Sequence, residues 1–495
     1  MPKQGILSAI LRIHTRLFAA LAMVLASVTA SEAAPNIVVI MTDDQEDTGS
    51  VAYMPKLRAL IAEQGVTFIN SLVDCSLCAP SRASFFTGQA AHNTGIKANN
   101  PLDGGGWEAF KTKEDNALPI WLKKAGYKTA LVGKYINRYG QQSTWGAWLA
   151  WGGNLVNVQF KGASIGNPRD WVPPGWDLWY GLTGTRARYF DYQVNENGTI
   201  LDFGNRPIDY STDVLKQRAV RFILDRSGKP DPFFMLIATK AVHDEGEQPI
   251  PAPQYANMFK NLGLPMGPSF NKKKNEKEVS QAHPIDGMSL AQLTKSYRAE
   301  LQSLQSVDDL VASVVDALKQ TGKLDDTVII YTSDNGFIYG EHRLIGKSAA
   351  YEESIKVPLL MRGPGIPKNE TRSELVNNLD VVATIAELAG ASPQLVLDGR
   401  SLTGLFAGAP WRSAILLQSP VSRVQKPSAR FTGVRTATRK YVKYDNGFEQ
   451  LFDLEADPHE IHNEVANPSY AGDLAMLRGL DDRLKTCAGS NCFVP

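Results

Sequence analysis

The sequence predicts an α/β fold: a large, mainly parallel sheet sandwiched by helices, with a small antiparallel-sheet subdomain at the C-terminal end. Three observations carry that expectation. β-branched runs alternate with helical periodicity through the first four-fifths of the 495 residues. The first of those runs, Asn36 to Met41, is apolar at nearly every residue instead of every second one, as a strand covered on both faces should be. After Trp411 the spacing shortens to strand, turn, strand.

Taken in order, the strand Asn36 to Met41 runs directly into the polar Thr42-Asp43-Asp44-Gln45. Helical periodicity from Pro55 to Glu63 and from Leu118 to Lys124 precedes the next strand, Lys128 to Val132. A helix over Asp213 to Asp225 leads to the strand Phe233 to Ala238, and the long helix Leu290 to Gln320 leads to Thr327 to Thr332. The strand Val357 to Met361 and the helix Asp380 to Leu388 close the series. Strands separated by helices of this length pair in parallel, and such sheets gather ligands beyond their carboxyl ends. Short strands are then expected at Ala414 to Gln418, Phe431 to Thr436, Lys440 to Tyr444 and Gln450 to Leu454, with a final amphipathic helix near Leu474 to Leu484. Residues 34–410 read as the large domain and 411–495 as the subdomain. A Trp- and Gly-rich stretch from Trp145 to Tyr180 and a charged stretch around Lys272 to Glu278 read as insertions.

Composition excludes several classes of function. An apolar content of 43% supports a large core, and the net charge of +1 gives no basis for nucleic-acid or membrane-surface attraction. Residues 1–33 have the pattern of an export signal: Lys3, Arg12 and Arg16 precede the apolar run Leu17 to Ala30, and small residues follow. Their removal leaves a net charge of −1. The run is too short to span a bilayer, so the expected product is secreted or periplasmic without stable membrane insertion. Cys487 and Cys492 are spaced to close a short disulfide loop in that compartment. Cys75 and Cys78 have C-x-x-C spacing, but no second cysteine pair or histidine couple completes a zinc site.

The run Cys78-Ala79-Pro80-Ser81-Arg82-Ala83-Ser84-Phe85-Phe86-Thr87-Gly88 resembles the sulfatase signature C-x-P-S-R followed by a short apolar stretch and Thr-Gly. The finer texture resembles the branch containing N-acetylglucosamine-6-sulfatases and the extracellular heparan-sulfate sulfatases. It is carried by Gly133-Lys134-Tyr135-Ile136-Asn137, Pro174-Gly175-Trp176, Tyr210-Ser211-Thr212-Asp213 and Lys356-Val357-Pro358-Leu359-Leu360. The resemblance implies an alkaline-phosphatase-like fold for residues 34–410 as the catalytic domain. It implies formylglycine made from Cys78 by a formylglycine-generating enzyme, and hydrolysis of a sulfate ester, either a sulfated sugar or an aryl sulfate. Phosphonate monoesterase or phosphodiesterase activity on the same fold is the alternative within hydrolases; a non-catalytic carbohydrate-binding protein is the alternative outside them.

Asp43 and Asp44 follow one predicted strand, and Asp334 with Asn335 follows another. Three carboxylates and an amide carbonyl are hard donors that suit Ca²⁺, or Mg²⁺ in its place. The resemblance implies that these four residues and the modified Cys78 share one ion. It also implies that Arg82 holds the nucleophile's surroundings, that Lys134 and Lys347 neutralise sulfate oxygens, and that His243 protonates the leaving group. Two departures stand out. Ile136 occupies the place where many sulfatases carry a histidine, which leaves Asp43, Asp44 or a water relay open as the second-step base. Asp244-Glu245-Gly246-Glu247 replaces the family's His-x-Pro pattern after His243. The tryptophans Trp145, Trp148, Trp151, Trp171, Trp176 and Trp179 read as a buried stripe, with sugar stacking as the second reading, and Lys272-Lys273-Lys274 reads as a solvated loop.

Overall fold

The run Asn36–Asp43 forms strand β1 with all eight residues buried. Its side chains alternate between two cores: Ile37, Val39 and Met41 enter one, Val38 and Ile40 the other. That two-sided burial is why the run reads as uninterrupted apolar sequence. The computed structural model describes residues 34–141, 147–151, 154–158, 168–183, 188–272, 283–421 and 429–495. The expected export signal, the 273–274 part of the lysine run and the side chains of Trp145, Trp148 and Trp151 lie outside the described residues.

The strands that build the main sheet are β1, β2 (Val66–Phe68), β3 (Lys128–Gly133), β4 (Leu178–Thr183), β5 (Tyr192–Glu196), β6 (Thr199–Phe203), β7 (Phe233–Val242), β8 (Thr327–Ser333), β9 (Leu359–Arg362) and β10 (Glu370–Arg372). Their spatial order is β10-β2-β9-β8-β1-β7-β3-β4-β5-β6. The centre, β8-β1-β7-β3-β4, is parallel throughout. Antiparallel pairs flank it, β8 with β9 and β9 with β2 on one side, β4 with β5 and β5 with β6 on the other. The sheet is therefore mixed, parallel through its centre and again in the β10–β2 pair at one edge.

Helices α1 (Cys78–Thr87), α2 (Leu118–Lys124) and α5 (Asn378–Leu388) cover one face, while α3 (Ser211–Leu224) and the 31-residue α4 (Leu290–Gln320) cover the other. Ser289 starts α4 by accepting a bond from the Gln292 N–H while the Gln292 side chain returns to the Ser289 N–H, a reciprocal cap. Beyond these, Ala414–Gln418, Phe431–Thr436, Arg439–Tyr444 and Glu449–Asp453 form a four-stranded antiparallel meander against the helix Ala471–Leu484. Cys487 and Cys492 are joined in a disulfide. Among the described residues no helix is long and apolar enough to cross a membrane.

The Trp- and Gly-rich stretch supplies β4 as well as an insertion. Trp179 is fully buried and donates its indole N–H to the Tyr139 hydroxyl at 2.7 Å, and Trp176 packs edge-on to Phe86. Both belong to the core, so the buried-stripe reading holds for these two.

Candidate active site

Four adjacent strands deliver the predicted residues to one end of the sheet. β8 ends at Asp334-Asn335, β1 at Asp43-Asp44, β7 leads to His243 and β3 to Lys134. Gly133, immediately before Lys134, has φ +120°, and a Cβ there would lie 1.9 Å from the Ala238 carbonyl oxygen of β7, so only glycine fits. Cys78 is the first residue of α1, whose ten residues are all buried. The Thr87-Gly88 that closes the motif is the helix stop: Gly88 adopts φ +66° and its N–H caps the Ser84 carbonyl at 2.8 Å.

These elements bring all nine predicted site residues together. Cys78 Sγ lies 2.9 Å from Lys347 Nζ, 3.5 Å from Asp43 Oδ1 and 3.9 Å from Asp44 Oδ1. Lys347 also pairs with Asp44, and Lys134 with Asp43. Arg82 donates from Nε to Asp334 Oδ2 at 2.8 Å and from Nη1 to the Lys134 carbonyl at 3.1 Å. The Asp44 N–H donates to Asp334 Oδ1 at 3.1 Å, which ties the two acidic loops together. His243 Nε2 sits 3.7 Å from Asp44 Oδ2, while its Nδ1 faces the Asp244 carboxylate at 2.9 Å and the Asp244 carbonyl at 2.8 Å.

The donor set tests well against a hard cation. Asp43, Asp44 and Asp334 supply carboxylates, and Asn335 gives its amide N–H to Asp44 at 2.7 Å while its buried carbonyl Oδ1 accepts nothing. An acceptor buried without a partner costs free energy that a cation would offset. The ligating atoms of Asp43, Asp44, Cys78 and His243 all lie within 4.8 Å of one another.

At Asp43, Lys347 and His243 charge pairing outweighs burial, whereas at Asp334 burial raises the pKa despite Arg82 and Lys134. Burial works against charge on Asp43, but Lys134, His243, Arg82 and Lys347 hold it well below the usual carboxylate range. Burial likewise opposes the Lys347 charge, yet Asp44, Cys78 and Asp43 drive its pKa well up. For His243 burial is outweighed by Asp44 and Asp43, and its pKa rises to about 9. Ile136 is buried in the apolar layer among Trp107, Phe110 and Tyr135 and offers no proton-transferring group.

Two clefts, of about 600 Å³ and about 500 Å³, meet at His243, Asp244 and Gly246. The larger contains Asp44 and Lys347, the smaller Asp43, Lys134 and Lys240. Lys240 is a further residue of the site; its mark in the sequence is a lysine in the largely apolar end of β7, Ile237-Ala238-Thr239-Lys240-Ala241-Val242.

The family model described as Sulfatase matches residues 35–391, and that described as N-sulphoglucosamine sulphohydrolase, C-terminal, matches residues 340–487. The N-acetylglucosamine-6-sulfatase of Homo sapiens is 34% identical across 94% of this chain and 87% of its own length. An arylsulfatase of Chlamydomonas reinhardtii is 32% identical across 93% of this chain and 76% of its own. A solved structure in complex with its substrate D-glucosamine-2-N,6-O-disulfate superposes with a TM-score of 0.74 at 23% identity, over 91% of this chain and 97% of that one. That match shows a common fold.

Proposed function

We propose that this chain, which belongs to the sulfatase family and is a sulfuric ester hydrolase, cleaves the sulfate monoester of a sulfated sugar, with Cys78 as the site of the nucleophile. The sugar reading is supported by the relative that acts on N-acetylglucosamine 6-sulfate and by the two clefts flanking the site. The observation that carries the proposal is the convergence of Cys78 with Lys347 at 2.9 Å and with two carboxylates within 4 Å. A buried thiol among cations and acids has no packing rationale, but a nucleophile does.

Conversion of Cys78 to hydrated formylglycine would supply the attacking hydroxyl, and Asp43, Asp44, Asp334 and Asn335 would hold Ca²⁺, or Mg²⁺ in its place, whose positive charge would stabilise the nucleophile and the sulfate oxygens. Lys347 and Lys134 place ammonium groups where negative charge grows on the sulfate oxygens, in a buried setting where each counts for more than in water. Arg82, 2% exposed, locks Asp334 to the Lys134 backbone and so fixes the spacing of both groups. His243 donates a proton from Nε2 to the departing alcohol, and Asp244 holds Nδ1 so that Nε2 points to the site. Export through the leader in residues 1–33, maturation by a formylglycine-generating enzyme, and a division at residue 410 between catalytic domain and C-terminal subdomain complete the proposal. Assay of paired aryl sulfate, aryl phosphonate and sulfated-sugar substrates tests it, alongside mass spectrometry of the Cys78 peptide. Sulfate-ester turnover with an aldehyde at Cys78 is expected; a plain thiol in a protein without turnover overturns the reading.

A further inference from the structure

β7 does not run straight into the site. Met41 of β1 pairs with Ala238 and Asp43 pairs with Val242, so two steps along β1 are matched by four along β7. The two additional residues make a bulge at the strand's carboxyl end, the kind of irregularity that re-aims a side chain. Lys240 sits within it and lines the smaller cleft together with Lys134, Asn137 and Thr183.

Lys240 is 5% exposed, and its ammonium donates to the Asp244 carbonyl at 2.8 Å. Among the described residues no ion pair and no hydrogen bond joins it to a carboxylate, whereas Lys134 is paired with Asp43 and Lys347 with Asp44. An ammonium offers three donors; here one meets the neutral Asp244 carbonyl and the Tyr189 ring centroid lies 5.9 Å away, and burial without a directly paired counter-ion is costly. Burial pushes its pKa down to about 8, with Asp43, Asp44 and Asp244 opposing that shift only in part and Lys134 adding to it. The site constellation around Cys78 is complete without it.

Resting on the proposed sulfatase reading, we infer that Lys240 is a specificity residue that binds a second anionic group of the substrate, a sulfate or carboxylate carried beside the ester to be cleaved. The substrate class is then a dianionic sugar with one anion at Cys78 and the other in the smaller cleft. The Asp244 carbonyl, shared by Lys240 and His243 Nδ1, couples the second anion to the residue beside the leaving group.

Calorimetric binding to the full chain carrying Cys78→Ala tests this without turnover. The probes are glucosamine 6-sulfate, D-glucosamine 2-N,6-O-disulfate and N-succinyl-glucosamine 6-sulfate; the last two distinguish a sulfate from a carboxylate as the second anion. At least one dianion should bind about 10- to 100-fold more tightly than the monosulfate, as for a charge-assisted contact. Lys240→Met should reduce that ratio to within about twofold of unity, and Lys240→Arg should retain most of it. Equal binding of all three probes, or a ratio unchanged in Lys240→Met, overturns the inference. The first of those results decides the matter even if Lys240→Met fails to fold. Failure of the cysteine-bearing enzyme to hydrolyse any sulfate ester would instead refute the function proposed above.

Discussion

Replacing His243 by alanine tests leaving-group protonation directly. His243 is held through Nδ1 by both oxygens that Asp244 offers, at 2.8 and 2.9 Å, and its Nε2 lies 3.7 Å from Asp44, at the seam of the two clefts. A positioned acid of this type contributes roughly 10²- to 10⁴-fold, equivalent to roughly 3–5 kcal/mol of barrier. That contribution matters where the departing oxygen is a poor leaving group, as on a sugar alcohol. It matters little for nitrophenolate, which is stable without a proton. The His243→Ala enzyme should therefore lose roughly 10²- to 10⁴-fold in kcat/KM on a sugar sulfate and under about tenfold on 4-nitrophenyl sulfate. Sulfate release measured by ion chromatography reads the first, and absorbance reads the second. Across a series of aryl sulfates the dependence of rate on leaving-group pKa should steepen. Equal loss on both substrate classes would refute the reasoning, because a residue that only shapes the pocket has no cause to discriminate by leaving group.

Cys78→Ser should bring activity below detection in a host whose maturation acts only on cysteine, while Cys75→Ser, tested as folded protein, keeps most of it; comparable loss in both would point to a paired C-x-x-C function. Chelation should abolish activity and lower the melting temperature, with Ca²⁺ or Mg²⁺ restoring both; full activity after verified metal removal contradicts the oxygen-donor site. Glu114 is 3% exposed and accepts from Trp107 at 2.9 Å and Trp171 at 3.0 Å, yet burial lifts its pKa to about 7. A carboxyl raised in the folded state contributes stability below its unfolded pKa and loses it as pH climbs through about 7, a change of roughly 3 kcal/mol. Urea unfolding at pH 5 and pH 8 should show that loss in the wild type and a flatter profile in Glu114→Gln. Arg412→Ala strands Asp380, which is wholly buried and paired with Arg412, and should cost about 3–5 kcal/mol in the same assay.

The central strands were legible because burial on both faces writes itself as continuous Val, Ile and Leu, and six of the candidate site residues, Asp43, Asp44, Lys134, His243, Asp334 and Asn335, could be singled out because they lie at or just past the ends of those strands. Cys78 and Arg82 lie in helix α1 and Lys347 follows a short strand outside the main sheet, so their only mark is the motif resemblance. Elsewhere the physics left weaker marks. β2 and β10 have three residues each, too few for any period. β6 is an edge strand with no buried residue and so shows no clean apolar pattern. β4 lies in sequence whose tryptophans and glycines suggested an insertion, although Trp179 and its hydrogen bond to Tyr139 show why such residues belong in a core. Helix α1 escaped because all ten of its residues are buried, which removes the polar face that makes a helix periodic. Lys240 carries one local mark, a lysine near the end of a largely apolar strand, but its place in the smaller cleft depends on the bulge between β7 and β1, a pairing of strands far apart in sequence.

The same bulge bears on the departure after His243. Where the family pattern has His-x-Pro, Asp244 and Glu245 both act on the loop itself: Asp244 holds His243 Nδ1 and accepts from Lys240, and Glu245 pairs with Arg188 at 3.1 Å and accepts from the Tyr189 N–H. Tyr189 returns a hydroxyl bond to the His243 carbonyl at 2.8 Å. These contacts close a ring that fixes the histidine without a proline. His243 is therefore oriented by Asp244, which lies where the two clefts meet, and by the Tyr189 hydroxyl on its carbonyl. If His243 is the acid and Lys240 holds a second substrate anion, as proposed above, both functions meet at Asp244, whose carbonyl accepts from Lys240 and whose carboxylate and carbonyl face His243 Nδ1. An Asp244→Asn enzyme should accordingly show a steeper dependence of rate on leaving-group pKa and lose part of its preference for dianionic sugars. A change in one property alone, measured as kcat/KM across the same aryl and sugar sulfates, would show that the two are independent.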